Sequence, residues 1–294
     1  MIAAGGLAVV LAGGGERAIA WEVGVLAGLA DGGVDLRDAP AVVGTSAGAL
    51  VAARLAAGAD PRADADRIIA AAPARVTLGS ALDGATAFEA LARAWETGGG
   101  STVERRRALG RLALEHSPGG EDAHVAAIAR RLPGGGWPPA LRVVAIDAED
   151  GERIVLDAAA GVRPGRAVAA SRAVPVLLPP ITVAGRRCID GAVGSATNAD
   201  VLAGSAAACV IVITPVPADP PSGGPERLWL AALREEVATL EATGHHVTIA
   251  QASPPELVAM GPDPLSAATG HLAVATGRDR GRALALQIRP SPAA

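Results

Sequence analysis

The sequence predicts an α/β fold with a mostly parallel sheet covered by helices. Two observations carry this. The chain opens with strand, Gly-rich loop and helix, and then repeats that order. Later it contains a nearly pure β run, Ala208 to Ile213, followed by a long helical stretch.

The first strand is Leu7 to Leu11, with glycines directly after it. Ala18 to Leu29 reads as a helix, because Ile19, Val23 and Leu26 recur at helical spacing. Ala41 to Val43 is a second short strand, and Ala47 to Ala57 a second helix that stops at Gly58. From Pro61 to about Arg131 the pattern is helical throughout: Ala63–Ala72, Phe88–Glu96, Val103–Glu115 and Ala123–Arg131. We read this as a helical insertion, closed by the turn formers between Pro133 and Pro139, within a single domain spanning residues 1–294. The sheet resumes with Leu141–Ile146 and Arg153–Leu156, and Val168–Ala173 is helical. Ile181–Val183 and Arg187–Ile189 predict a hairpin across Ala184-Gly185. After Ala208–Ile213 come a Pro/Gly linker, Pro215 to Pro225, a helix, Glu226–Ala242, and a last strand, His246–Ala250. Leu265–Leu286 predicts a helix interrupted near Gly277.

Composition excludes several classes. Half of the 294 residues are hydrophobic but only 2% are aromatic, so the core must be built from Ala, Val, Leu and Ile. The net charge is −4 and no basic stripe is present, which argues against a nucleic-acid partner. The two cysteines, Cys188 and Cys209, suit neither a disulfide framework nor a metal site, and fit a reducing compartment. The N-terminus lacks a positive region, and its apolar core, Leu7 to Ala12, is too short for a signal peptide. A soluble, cytoplasmic chain is the expectation. The four tryptophans, Trp21, Trp95, Trp137 and Trp229, read equally as core, interface or lipid-contact residues.

Three motifs carry chemistry. Gly44-Thr45-Ser46-Ala47-Gly48 fits G-x-S-x-G between a strand and a helix, the setting of a nucleophile elbow. There Ser46 takes strained backbone angles, and Gly44 and Gly48 let neighbouring chain pass close by. Gly13, Gly14 and Gly15 follow the first strand, and their N–H groups suit an anion. That anion is either a nucleotide phosphate or an oxyanion that develops during reaction. The loop lacks the Gly-Lys-Ser/Thr of a P-loop, but Gly13-x-Gly15 continues to Ala18, and Asp31 and Asp35 lie where a dinucleotide site wants an acid. Asp190-Gly191 ends a hairpin strand; a carboxylate there is either a turn former or a base for a serine. Among the histidines, His116 and His124 lie in the insertion. Ser46, Asp190 and His246 or His271 would satisfy the α/β-hydrolase order, with His245 adjacent to His246. An elbow after only the second strand argues against that arrangement.

Together these pieces resemble the patatin-like phospholipase family. That family has a Gly-rich loop after its first strand, an elbow after its second and a later Asp-Gly-Gly or Asp-Gly-Ala. The matching residues are Ala12 to Arg17, Gly44 to Gly48 and Asp190-Gly191-Ala192. Trp21 to Leu26, and Ala170 to Pro175 with Pro179-Pro180, are similar as well. Ala12 and Ala18 stand where the family usually has Gly. The resemblance implies a three-layer α/β/α sandwich without metal or other cofactor. It implies a lipid acyl hydrolase with Ser46 as nucleophile, Asp190 as its dyad partner, Gly13, Gly14 and Gly15 as oxyanion donors, and Arg17 supporting that loop. The expected partners are a lipid or other acyl-ester substrate and, transiently, a membrane surface. A Ser–His–Asp hydrolase and a non-catalytic phosphate-binding or nucleotide-binding module are the alternatives.

Overall fold

The structure, a computed structural model, describes residues 6–71, 93–95, 98–220 and 225–288. Eight strands form one sheet in the order β5-β6-β3-β2-β1-β7-β8, with β4 also paired to β3. They are β1 (Leu7–Leu11), β2 (Val42–Thr45), β3 (Leu141–Asp147), β4 (Arg153–Leu156), β5 (Ile181–Val183), β6 (Arg186–Asp190), β7 (Cys209–Thr214) and β8 (His246–Gln251). β3, β2, β1, β7 and β8 run parallel, whereas β4, β5 and β6 make antiparallel pairs. The sheet is therefore mixed and mostly parallel, as expected.

The helices are α1 (Glu16–Asp31), α2 (Ala47–Ala56), α3 (Pro61–Ala70), α4 (Thr102–Glu115), α5 (Glu121–Ala129), α6 (Pro164–Ser171), α7 (Glu226–Ala242), α8 (Pro254–Met260) and α9 (Gly270–Ile288). Alternation along each strand assigns the layers. Leu7, Val9 and Leu11 join α1, α2 and α6 in one core, while Ala8 and Val10 face Leu230, Leu233 and Leu240 of α7 in another. Helices thus cover both faces, giving the α/β/α sandwich. No strand occurs among the described residues of 61–131. Most of the predicted helix Phe88–Glu96, and part of the linker Pro215–Pro225, lie outside the described residues.

Two predictions need correcting. α9 is continuous through Gly277, and it starts later than Leu265. Its glycines do not interrupt it; they allow α1 to approach. A Cβ on Gly277 or Gly281 would meet the carbonyl oxygen of Trp21 or Val25 at 2.3 and 2.1 Å, and one on Gly24 or Gly28 would meet that of Val274 or Arg278 at 2.4 and 2.0 Å. The helical propensity that these glycines forfeit is about 1 kcal/mol each, a local penalty that reading α9 by itself overweights. The short helix α8 was not anticipated; it begins at Pro254 behind a Ser253–Glu256 capping box.

The register at β3 positions the site. Val143 and Val144 pair with β2 on one edge and β4 on the other; Ala145 and Ile146 pair with β4 and with β6. β2 and β6 therefore meet end to end along the same edge of β3. Thr45 faces Val144 and Asp190 faces Ala145. The residue after Thr45 is brought beside Asp190 although 144 positions separate them in the chain.

Candidate active site

Ser46 sits between β2 and α2 with φ 52° and ψ −115°. Positive φ in a residue with a Cβ is uncommon and costs on the order of 1–3 kcal/mol, so surrounding packing must impose it. The flanking glycines show how. A Cβ on Gly48 would meet the Leu11 carbonyl oxygen at 2.2 Å, and one on Gly44 the Ala49 Cα at 2.5 Å. The Gly48 N–H donates to Ala12 O at 2.9 Å, tying the elbow to the end of β1.

The Ser46 hydroxyl donates to Asp190 Oδ2 at 2.7 Å. The other carboxylate oxygen, Oδ1, accepts from the Ala192 N–H at 2.8 Å. Both side chains are nearly buried, Ser46 8% and Asp190 3% exposed. Burial pushes the Asp190 carboxyl up to about 6, against the opposing pull of the Ala192 N–H, the Ser46 hydroxyl and the Arg172 guanidinium. A carboxylate tuned in this way is still ionised at neutral pH and is a stronger base than an exposed one. Arg172 itself is paired with Glu16, whose carboxyl lies well below the usual range because the attraction of Arg172 and Arg131 outweighs burial.

The Ala170–Pro175 segment joins the two halves of the site. Ser171 Oγ accepts the Ser46 N–H at 2.8 Å, Ser171 O accepts the Gly191 N–H at 3.1 Å, and Ala173 O accepts the Asp190 N–H at 2.9 Å. Behind them, Asn198 is fully buried and its Nδ2 donates to Thr45 Oγ1, Gly191 O and Ser195 O at 3.0–3.3 Å. Gly191 has no room for a side chain: a Cβ would meet Val144 O at 2.2 Å.

The glycine loop closes over Ser46. A Cβ on Gly13 would lie 3.2 Å from the Ser46 Cβ and 3.0 Å from the Ala192 Cβ. The Gly13 N–H, however, donates to Ala196 O at 2.8 Å. That donor is committed, and Gly14 and Gly15 are the loop glycines that line the cavity in front of Ser46. Gly15 needs its φ of 80°, and a Cβ there would meet Pro264 O at 2.1 Å. Ala12 is buried within the sheet, its N–H donating to Ile213 O at 3.1 Å. The Ala18 methyl faces Gly14, whose own Cβ would meet it at 2.8 Å. Arg17 bonds the Gly261 carbonyl at 2.5 Å and so braces the start of α1 against the segment after α8.

The cavity has a volume of about 360 Å³ and an apolar lining. Leu109, Leu177 and Val193 are its most buried apolar walls, Trp95 and Trp229 stand edge to face, and Arg17 and Glu226 supply charges of both signs. Ser46 and Asp190 are part of its lining. No histidine is. His245 bonds to Leu240 O, Thr243 and Ser205 just before β8, His246 opens that strand, and His271 lies in α9. His116 caps α4, and His124 lies in α5, where burial and Arg172 lower it to about 4.

Residues 9–203 match the family model for patatin-like phospholipases. The chain belongs to the patatin-like phospholipase family. Among solved structures the patatin-like chain is similar to VipD from Legionella pneumophila, at 14% identity and a TM-score of 0.45, covering 96% of this chain and 66% of that one. It is also similar to the type III effector protein ExoU, at 16% identity and a TM-score of 0.35, covering 94% and 53%. For full-length ExoU of Pseudomonas aeruginosa in complex with SpcU the values are 18%, 0.39, 97% and 52%. The chain thus spans about half to two-thirds of the length of these structures. No protein of curated function matches it in sequence.

Ser46, Asp190 and the glycine loop, each marked by a sequence motif, meet at one cavity. Sequence reasoning did not single out Ser171, Arg172, Asn198 or Trp229. Ser171 and Arg172 were visible only as part of a similar segment. Asn198 carries no recognisable signal, since two of its acceptors are carbonyls of its own loop, Gly191 and Ser195, and the third, Thr45, lies 153 positions away. Among the described residues there is no cluster of His, Cys, Asp and Glu that could hold a metal ion, and no helix long and apolar enough to cross a membrane.

Proposed function

We propose that the protein hydrolyses carboxylic esters of lipids through a Ser46–Asp190 dyad and an acyl-enzyme intermediate. The observation that carries this is the 2.7 Å hydrogen bond from the Ser46 hydroxyl to a buried carboxylate at the wall of an apolar cavity. Asp190 takes the hydroxyl proton as Ser46 Oγ attacks the acyl carbon. The carbonyl oxygen becomes an oxyanion, held by backbone N–H groups of Gly14 and Gly15, while Gly13 anchors the loop through Ala196. When the C–O bond breaks, Asp190 returns the proton to the leaving alcohol. Water then attacks the acyl-Ser46 ester, giving its proton to Asp190, and the carboxylic acid leaves as Ser46 regains its hydrogen. The strained φ of Ser46 presents Oγ away from the strand, and α2 behind it favours the developing negative charge.

The cavity size supports one acyl chain of moderate length. A volume of about 360 Å³ lies within the range of small-molecule pockets. The lining argues against a nucleotide: it is apolar, and its one Arg is accompanied by Glu226.

The test is hydrolysis of p-nitrophenyl esters and phospholipids by wild type and Ser46→Ala, with fluorophosphonate labelling of both. Wild type is expected to hydrolyse the esters and take the label, and Ser46→Ala to lose both while remaining folded. Ester hydrolysis that survives in Ser46→Ala would remove the assignment.

A further inference from the structure

We propose that Trp229 is a positioning and specificity residue: its indole N–H holds the Asp190 loop, and its ring walls the acyl cavity. The inference rests on the hydrolase reading above. Trp229 lies on α7, beyond the stretch that the family model covers, so this role belongs to the chain's own C-terminal part rather than to the shared motifs.

Three groups of contacts support it. Trp229 Nε1 donates to Ala192 O at 2.8 Å, and the N–H of that same Ala192 donates to Asp190 Oδ1 at 2.8 Å. Asp190 therefore has one oxygen on Ser46 and the other on a residue whose carbonyl Trp229 secures. Seven residues along α7, on the same helical face, Glu236 accepts from Thr197 Oγ1 at 2.5 Å and from the Ala199 N–H at 2.8 Å. The loop from Gly191 to Ala199 is thus gripped at both ends by one helix. Finally, the Trp229 ring meets Trp95 edge to face, with centroids 6.2 Å apart and planes at 87°, and both line the cavity that Ser46 opens into. One side chain touches both the space for the acyl chain and the backbone that orients the base. A chain that displaces the indole would disturb Asp190, so the dyad works best with acyl groups that leave the ring in place.

The experiment compares the full chain with Trp229→Phe, Trp229→Ala and a control, Trp137→Phe. Trp137 also donates its indole N–H to a carbonyl, Leu141 O at 3.0 Å, but at the start of β3, the end opposite the dyad. Trp229→Phe keeps most of the wall and loses the donor. It is expected to lower kcat about tenfold, the effect of one hydrogen bond, with KM little changed and the chain-length preference retained. The acidic limb of its pH profile should move upward, because a loosened Ala192 N–H holds the Asp190 carboxylate less well. Trp229→Ala should also accept longer p-nitrophenyl esters than wild type, and Trp137→Phe should behave as wild type. Carboxyl NMR of Asp190, assigned through Asp190→Asn, reads the same upward movement without turnover, so it separates failure of this proposal from failure of the hydrolase reading. An unmoved Asp190 titration in Trp229→Phe, equal kcat losses in Trp229→Phe and Trp137→Phe, or an unchanged chain-length preference in Trp229→Ala would overturn the proposal.

Discussion

Asp190→Asn should impair the enzyme and stabilise the protein at the same time, but only above a certain pH. Asp190 is 3% exposed, and burial moves its carboxyl from the ordinary 3.8 up to about 6. The native state therefore retains a proton between pH 4 and 6 that the unfolded state has released. Stability falls as pH rises through that window, and above about 6 the buried charge costs about 3 kcal/mol. Asn removes the charge, and its oxygen still accepts from Ser46. Its amide cannot accept the Ala192 N–H, which returns a loss of about 1–2 kcal/mol. The net expectation at pH 8 is a variant more stable by about 1–2 kcal/mol, a Tm higher by a few degrees. At pH 4 only the lost acceptor remains, and the variant should melt below wild type. Thermal unfolding of both proteins from pH 4 to pH 8 reads this crossing. Ester hydrolysis should meanwhile fall by about 10²–10⁴-fold, the range for a missing general base. A Tm difference that does not change sign with pH would refute the burial argument, and near-normal turnover would refute the role of the carboxylate.

Wild-type kcat/KM should drop as pH falls through about 6, and the limb should be unaffected by replacing His245, His246 or His271 singly with Gln; loss of activity in one of these variants would restore a histidine base. Gly14→Val should lower turnover by about 10²–10³-fold, since even its Cβ would meet the Pro215 ring at 2.6 Å and the Ala18 methyl at 2.8 Å. Circular dichroism separates this from unfolding, and normal turnover in a folded variant would give the loop another role. Asn198→Ala leaves the Thr45 and Gly191 groups without their shared donor and should lower Tm by several degrees, at about 1–3 kcal/mol for buried partners left unpaired; an unchanged Tm would show that those groups find other partners.

Much of this protein was legible in one dimension because its signals are local. Unbroken apolar β runs and helical stretches place Leu7–Leu11, α1, β7 and α7 with small errors at the ends. The elbow and the glycine loop are each written within a few consecutive residues, because a tight turn demands small residues at fixed offsets. Ala184-Gly185 similarly marks the hairpin, where both residues take positive φ. Tertiary structure decided what depends on register and packing. Ser46 meets Asp190 because β2 and β6 share one edge of β3, an arrangement that no spacing in the chain encodes. The commitment of the Gly13 N–H to Ala196, the role of Ser171, and the continuity of α9 through Gly277 likewise follow from neighbours distant in sequence. Trp229 is the sharpest case. As a letter it could be core, interface or lipid contact; only the fold puts its N–H on Ala192 and its ring in the cavity, because a side chain's role is set by the partners that chain folding brings to it.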